Sequence, residues 1–199
     1  MATQTQERAD PRDPQIVSPS RLAHVVLRTS QIKNMMRWYK LVLNAETAFE
    51  NDEIAFISYD EEHHRIAFVN IPGLKAVPDG VVGLHHVAFT YNSLTELLGN
   101  YERLREHGIV PQWCINHGPT TSMYYEDPDR NQLEFQVDNF DTVEEAGRFF
   151  HTDAFATNTI GVDFDPAELL RRARAGEDET ALKIRPPSGP RGVDTIRIR

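Results

Sequence analysis

The chain has 199 residues, 40% of them hydrophobic and 26% charged, which is typical of one soluble globular domain with a full hydrophobic core. Its formal net charge of −9 at pH 7 disfavours nucleic acid as a partner, because phosphate backbones carry charge of the same sign. The sequence contains no apolar run long enough to predict a membrane-spanning helix, and it predicts no membrane partner. The single cysteine, Cys114, rules out an intrachain disulfide and fits a cytoplasmic location.

Composition divides the chain into three zones. Residues 1–18 are polar and rich in charged groups, and they predict an N-terminal arm with little structure of its own. Residues 19–141 alternate strand-like and helix-like segments and predict the folded domain. Residues 142–199 predict a C-terminal extension, with one helix over 142–155 and another that begins at Asp165 and Pro166. We expect the extension to act as a lid or as a contact in a homo-oligomer.

The predicted domain contains an internal repeat. Segments 21–27 (RLAHVVL) and 83–89 (GLHHVAF) are short apolar strands with a histidine in the middle. They lie roughly 60 residues apart along the chain. Two copies of one supersecondary unit are therefore expected.

Each repeated strand leads into a helix and three further strands. The first helix is expected to begin after Ser30, and the second after Asn92 or Ser93 and to end at Gly108, because these residues are good helix caps. The strand candidates are 47–51, 53–60 and 64–71 in the first half and 110–116, 121–127 and 132–137 in the second. The pattern predicts an α+β fold with two βαβββ modules, at about residues 19–72 and 81–141, forming a shared concave sheet around a metal site.

The repeat places possible metal ligands at equivalent positions. His24 and His86 lie on equivalent strands, and Glu134 is the second-module counterpart of Ala67. Two imidazoles and one carboxylate facing one cavity form the ligand set of non-haem Fe(II) sites with open coordination positions, although Mn(II) and Zn(II) accept the same donors. Ala67 cannot ligate, which leaves room for a chelating substrate. The sequence predicts one divalent ion bound by His24, His86 and Glu134.

These strands, together with segment 127–134 (DPDRNQLE), resemble the vicinal oxygen chelate superfamily. Within it, residues 19–141 are most similar to the one-domain type I extradiol catechol dioxygenases, of the biphenyl-2,3-diol 1,2-dioxygenase type. The resemblance implies Fe(II) bound by His24, His86 and Glu134, with O2 as co-substrate. It also implies cleavage of a catechol-type aromatic diol beside its two hydroxyls.

Three catalytic side chains are implied by the same resemblance. His64 matches the family's proton-transferring histidine, and Tyr124 matches a tyrosine that donates a hydrogen bond to the substrate or to oxygen. His117 matches a histidine that binds the catecholate. Such proton transfers typically contribute ~10²–10⁴-fold to the rate.

Two positions depart from the simplest expectation. Strict strand alternation would place His63, instead of His64, on the same face as Ala67, so His64 needs a bulge or a strand start to re-aim it. Arg130 stands where the family usually has glycine, and a positive φ there would strain it. Four aromatic side chains of the predicted strands are expected to lie in the core or in the wall of a pocket: Phe56, Phe89, Trp113 and Phe135.

Two other functions fit parts of this pattern. One is another metal-dependent enzyme of the superfamily, glyoxalase-like or a thiol transferase, using Zn(II), Ni(II) or Mn(II). Glyoxalase-like members usually have a fourth ligand in place of Ala67, which argues against them. The other is a resistance protein that sequesters a small molecule, a kind that typically lacks the metal ligands.

Overall fold

The computed structural model of the chain describes residues 17–76 and 78–196. The predicted N-terminal arm, 1–18, falls almost entirely outside the described residues. The two predicted βαβββ modules are confirmed. Module 1 consists of β1 (Val25–Thr29), α1 (Ile32–Leu43), β2 (Glu46–Glu50), β3 (Ile54–Ser58) and β4 (Ile66–Asn70). Module 2 consists of β5 (His86–Tyr91), α2 (Leu94–Glu106), β6 (Trp113–Asn116), β7 (Thr120–Glu126) and β8 (Gln132–Asp138).

The two helices begin in different ways. Ser93 caps α2 as predicted, because its side chain accepts a hydrogen bond from the backbone of Glu96. Gly108 follows the end of this helix with a φ of +74°, the left-handed conformation that favours glycine. The predicted cap Ser30 is wrong: Gln31 is the N-cap of α1 and makes no side-chain capping bond. The Ser30 hydroxyl instead donates to the backbone carbonyl of Leu74, 3.5 Å away.

Each module forms its own sheet within the chain. The strand orders are β1-β4-β3-β2 and β5-β8-β7-β6, and the second sheet is extended by a short strand, β9 (Val162–Asp163). In both modules the first strand pairs in parallel with the last strand, and the helix forms the connection between the first and second strands. As a result, β1 and β5 each lie at an edge of a sheet.

One hydrophobic core spans both modules. It includes Met35 and Val42 of α1 and Leu97 and Leu104 of α2, all at most 1% exposed. The helices therefore cover one face of each sheet and meet each other; the opposite face of each sheet is called its open face below. A buried hydrogen bond of 3.0 Å from the Tyr39 hydroxyl to the Asp127 carboxylate also joins the modules.

The turn between β7 and β8 has the conformation suspected from the sequence. Arg130 has a φ of +72°, so a non-glycine residue occupies the left-handed region. The Asp127 carboxylate stabilises the turn by accepting hydrogen bonds from the backbone N–H groups of Asp129 and Asn131. This turn sets the start of β8, the strand that carries Glu134.

The C-terminal extension is folded against module 2. Its helices are α3 (Val143–Phe149), α4 (Asp153–Thr157), α5 (Pro166–Arg174) and α6 (Glu179–Lys183). Helix α5 begins after Asp165 as predicted and buries Leu169 and Leu170 in the common core. The prediction of a single helix over 142–155 is wrong. The Thr152 side chain accepts a hydrogen bond from the backbone N–H of Phe155 and so caps a second helix, α4. No helix in the described part of the chain is long and apolar enough to cross a membrane.

Candidate metal centre

His86 and Glu134 form a contact on the open face of module 2. Strands β5 and β8 run in parallel with Ala88 opposite Glu134, and His86 lies two residues before Ala88 on the same face. Nε2 of His86 lies 2.9 Å from Oε2 of Glu134, and Glu134 is only 5% exposed. An imidazole and a buried carboxylate are thus held together on rigid strands.

The electrostatics of Glu134 favour its charged form. Burial by itself would raise the pKa of this carboxyl, but hydrogen bonds from His86 and Ser122 and the charges of His86 and His117 hold the pKa below its ordinary value. The side chain is therefore a carboxylate at neutral pH. A buried anion with imidazole nitrogens beside it is a donor set that a divalent cation can use.

Tyr124 and His117 lie beside this pair. Tyr124 is directly opposite Glu134 in the β7–β8 register, so the two side chains share the open face. The Tyr124 hydroxyl lies 3.0 Å from Nε2 of His117, and its ring is edge-on to the His86 ring at 5.2 Å. Burial, followed by the negative charge of Glu134, raises the pKa of Tyr124, so the phenol stays protonated at neutral pH.

The C-terminal extension fixes the orientation of His117. Nδ1 of His117 is hydrogen-bonded to the backbone carbonyl of Ile160. Because a carbonyl oxygen can only accept, Nδ1 carries the hydrogen, and Nε2 of the neutral ring is the acceptor that faces Tyr124. Burial is the largest influence on His117 and lowers its pKa, which favours the neutral ring.

His24 and His64 meet on the open face of module 1. Val26 pairs with Ala67 as Ala88 pairs with Glu134, so the positions of His24 and His86 are structurally equivalent. The His24 and His64 rings lie 4.5 Å apart between centroids. Burial, followed by the charges of His24 and His63, lowers the pKa of His64.

His64, and not His63, makes the ring contact with His24. His64 stacks on Phe56 with a centroid distance of 4.8 Å, and Phe56 is the partner of Ala67 across the sheet. Strand β4 begins only at Ile66, so strict alternation does not apply to the two histidines before it. The start of the strand is therefore what aims His64 at the open face.

The two sets of side chains are separate within one chain. The module 1 half-site consists of His24 and His64, and the module 2 half-site of His86, His117, Tyr124 and Glu134. Among the residues that the structure describes, no three His, Cys, Asp or Glu side chains are grouped so that they could hold a metal ion. His86 and Glu134 are brought together, and His24 is not brought to them.

Some site residues were not singled out from the sequence. Ser122 hydrogen-bonds to Glu134, and its position two residues before Tyr124 was the available signal. Of the aromatic rings that were expected in the core or in a pocket wall, Trp113 stacks on Tyr124 with centroids 5.0 Å apart, whereas Phe135 is fully buried in the core. No local pattern could have indicated the contact between Ile160 and His117, which are 43 residues apart.

A family model describing the glyoxalase/bleomycin resistance protein/dioxygenase superfamily matches residues 21–135. The match begins before β1 and ends within β8, so it includes nearly all of both modules. The chain belongs to this superfamily. Its extension lies beyond the matched residues, so the contact of Ile160 with His117 is an addition to the superfamily domain in this chain.

Two curated relatives in this superfamily are dioxygenases from Rhodococcus globerulus. Biphenyl-2,3-diol 1,2-dioxygenase 3 is 44% identical over 167 residues, covering 83% of this chain and 88% of the relative. Biphenyl-2,3-diol 1,2-dioxygenase 2 is 43% identical over 157 residues, covering 78% of this chain and 83% of the relative. The predicted enzyme class, an extradiol dioxygenase, is confirmed by these relatives.

Solved structures of the superfamily share the fold. A fosfomycin resistance protein, FosX, from Listeria monocytogenes complexed with Mn(II) and sulfate is 20% identical, with a TM-score of 0.52 over 67% of this chain and 100% of that one. A glyoxylase/bleomycin resistance protein/dioxygenase domain from Frankia sp. EAN1pec is 22% identical, with a TM-score of 0.51 over 61% of this chain and 99% of that one. At these identities the structural likeness shows that the two modules have the fold of these proteins, and it says nothing about the substrate.

Proposed function

We propose that this protein cleaves the ring of a catechol-type aromatic diol beside its two hydroxyls, at a mononuclear Fe(II) site, and incorporates both atoms of O2 into the opened product. The observation that carries the proposal is the identity of 43–44% to two biphenyl-2,3-diol 1,2-dioxygenases over most of the chain. The contact of His86 with the buried carboxylate of Glu134 agrees with it. The other functions considered from the sequence have no comparable support.

The metal would be held by His24, His86 and Glu134. Glu134 would supply an anionic oxygen and the two histidines neutral nitrogens, and Ala67 supplies no ligand, so coordination positions would stay open for other donors. When bound, the ion would act as a Lewis acid that favours loss of the diol protons, and would offer a coordination position for O2. The donor set suits Fe(II), with Mn(II) or Zn(II) as the chemically permitted alternatives.

His64 would accept a proton from the diol and return it during ring opening. Its lowered pKa makes the neutral ring the main form at neutral pH, which is the form able to accept. Nδ1 of His64 lies 2.5 Å from Nδ1 of His63. We therefore assign the transfer to Nε2.

Tyr124 and His117 would orient the substrate. The protonated phenol of Tyr124 is a donor, so it would bind an oxygen of the substrate or of O2. Nε2 of His117 is an acceptor that lies on the same open face and would bind a remaining hydroxyl hydrogen. The extension would exclude water from this side, since Ile160 packs with Trp113 and Tyr124.

The activity is tested by anaerobic loading with Fe(II), followed by addition of O2 and a panel of catechols. We expect O2 uptake matched by a yellow ring-opened product, with apolar ring substituents tolerated beside Trp113. A protein that holds stoichiometric iron and consumes no O2 with any catechol would exclude the proposed reaction.

The role of His64 is tested by comparing His64→Ala with His63→Ala. We expect both variants to retain metal, and His64→Ala to lose about 10²–10⁴-fold in turnover because its proton acceptor is gone. His63→Ala is the matched control, since the His63 side chain is 72% exposed. Equal turnover in the two variants would remove His64 from the mechanism.

A further inference from the structure

Asn158 is a buried polar residue of the extension, two residues before Ile160, whose backbone carbonyl binds His117. It directly follows α4 and is only 1% exposed. Burial of an amide side chain is unfavourable unless its donors and its acceptor are hydrogen-bonded. The partners of Asn158 therefore indicate which part of the chain this residue holds in place.

The Asn158 side chain closes the turn that contains Ile160 and Gly161. Its Oδ1 accepts hydrogen bonds from the backbone N–H of Ile160 at 3.0 Å and from that of Gly161 at 2.7 Å. Its Nδ2 donates to the Gly161 carbonyl at 2.9 Å and to the Ser188 hydroxyl at 2.8 Å. Asparagine side chains commonly stabilise turns by such bonds to the backbone that follows them. Asn158 thus sets the orientation of the peptide groups on both sides of Ile160.

One of these peptide groups reaches the site. The Ile160 carbonyl and the Gly161 N–H belong to the same peptide group, and in a trans peptide the two point in opposite directions. Because Oδ1 of Asn158 binds the N–H, the carbonyl is directed away from Asn158 and towards Nδ1 of His117. A rigid peptide plane therefore connects the buried asparagine to the imidazole ring.

The carbonyl decides which nitrogen of His117 can accept a hydrogen bond on the open face. A neutral imidazole carries its hydrogen on either nitrogen, and the partner selects the tautomer. The Ile160 carbonyl can only accept, so it selects the tautomer with the hydrogen on Nδ1. Nε2, which lies 3.0 Å from the Tyr124 hydroxyl, is left as an acceptor. Loss of the carbonyl would place a hydrogen on Nε2 in part of the molecules.

The backbone of His117 is held by other groups of the extension. Nη1 of Arg185 donates to the His117 carbonyl at 3.0 Å. The next residue, Gly118, lies so close to the Phe149 ring that a Cβ would clash with it. A substitution at Asn158 would therefore act on the His117 ring while the loop that carries the ring stays in place.

We propose that Asn158 is a positioning residue for the dioxygenase reaction. Through the Ile160 carbonyl, it holds the His117 ring with Nε2 as the hydrogen-bond acceptor that faces the aromatic diol. The extension thereby contributes to turnover although Asn158 itself does not touch the substrate. The part of this inference that concerns the diol rests on the proposed function, whereas the tautomer of His117 is independent of it.

The tautomer is measured by NMR on full-length protein with isotope-labelled histidine, kept free of paramagnetic iron. In the wild type we expect His117 to show a protonated Nδ1 and an unprotonated Nε2, with its signals assigned by their loss in His117→Gln. In Asn158→Ala the two nitrogen shifts should move towards each other, because the ring exchanges between tautomers. His117 shifts that stay at their wild-type values in Asn158→Ala would overturn the proposal.

Asn100→Ala is the matched control. Asn100 is also a buried asparagine, 9% exposed, but it lies on α2 and its side chain accepts a hydrogen bond from Arg103. We expect this variant to keep the wild-type shifts of His117 and to stay within about two-fold of the wild-type kcat/KM. Equal movement of the His117 shifts in both variants would assign the effect to general loosening of the fold and reject a specific role of Asn158.

A double-mutant cycle measures whether Asn158 acts through His117. With iron-loaded protein and a catechol, we expect Asn158→Ala to lower kcat/KM about 10- to 100-fold, since a small misplacement of a group that binds the reacting substrate has an effect of this size. In a His117→Ala background the same substitution should change kcat/KM less than about two-fold, because the group that it positions is absent. Equal losses in the two backgrounds would show that Asn158 only stabilises the fold.

Asn158→Ser is the second variant and replaces Asn158→Ala if the alanine variant does not fold. A serine hydroxyl accepts from the following backbone N–H groups more weakly than an asparagine does, so we expect His117 shifts and kcat/KM between those of the wild type and of Asn158→Ala. A fall in kcat/KM without movement of the His117 shifts would contradict the proposal. Moved shifts in a protein that cleaves no catechol in any form would retain the positioning by Asn158 and reject the proposed reaction.

Discussion

At the scale of single residues, the adjacent Tyr124 and Tyr125 show that one strand directs side chains both to the site and to the core. Tyr124 lies on the open face, where its hydroxyl is 3.0 Å from His117. Tyr125 points into the core, is 1% exposed and has its hydroxyl 3.9 Å from the sulfur of Met123. The two residues therefore form an internal comparison of a site tyrosine with a packing tyrosine.

We predict that Tyr124→Phe lowers kcat about 10- to 100-fold, because the variant loses one hydrogen bond to a charged group or to a charge that develops during the reaction. The ring stays stacked on Trp113, so metal content and folding should be unchanged. Tyr125→Phe is the control and should leave kcat within about two-fold of the wild type while altering stability only slightly. Steady-state O2 uptake and iron content measure the difference, and similar kcat values for the two variants would contradict the role of Tyr124.

At the scale of secondary-structure elements, the extension is attached to module 2 at one tight approach. Strand β9 pairs with β6, and Gly161 lies just before it with a φ of +129°. A Cβ at this position would lie against the Asn116 carbonyl and 2.9 Å from Cα of His117. Only glycine permits the neighbouring Ile160 carbonyl to reach the His117 ring in this geometry.

We predict that Gly161→Ala destabilises the protein by about 1–3 kcal/mol, since it combines a strained φ with a backbone clash. The extension should also become more susceptible to limited proteolysis, because its contact with β6 is weakened. Gly189→Ala is the control, since a Cβ there meets nothing within 4 Å. Thermal unfolding curves measure the effect, and equal midpoints for the two variants would show that the extension does not depend on this approach.

At the scale of the whole molecule, a single core joins modules that are separate in sequence. Core residues come from both helices and from strands of both sheets, and helix α5 of the extension adds Leu169 and Leu170. A core shared in this way couples the modules, because exposing one of them removes the packing of the other.

We predict that the modules unfold in one transition. The chain has two tryptophans, Trp38 in α1 and Trp113 in β6. Trp38→Phe and Trp113→Phe therefore each leave one fluorescent reporter, in module 2 and module 1 respectively. At equal protein concentration, the fluorescence transition of each variant should coincide with its own circular dichroism transition in denaturant. Separate midpoints for the two probes would show independent modules.

The sequence by itself was sufficient for the elements and for the repeat. The bounds of α1, the cap of α2 at Ser93 and the twofold βαβββ order follow from local patterns of apolar residues and caps, which depend on near neighbours in the chain. The candidate ligands follow from the same repeat, and Glu134 lies beside His86 because their strands pair directly. The predictions of Ser30 as a cap and of one helix over 142–155 were wrong. In the first case the Ser30 side chain is hydrogen-bonded elsewhere, and in the second the Thr152 side chain caps a separate helix.

Only the tertiary structure decided how the half-sites are placed. The sequence predicts two equivalent modules around one metal site, but the actual arrangement of the modules depends on packing between α1, α2 and the β7–β8 turn. The contact of Ile160 with His117 depends likewise on long-range packing of the extension. The opening strands of the repeat therefore predict the donors, whereas the burial of α1 and α2 in one shared core determines how the two modules are arranged.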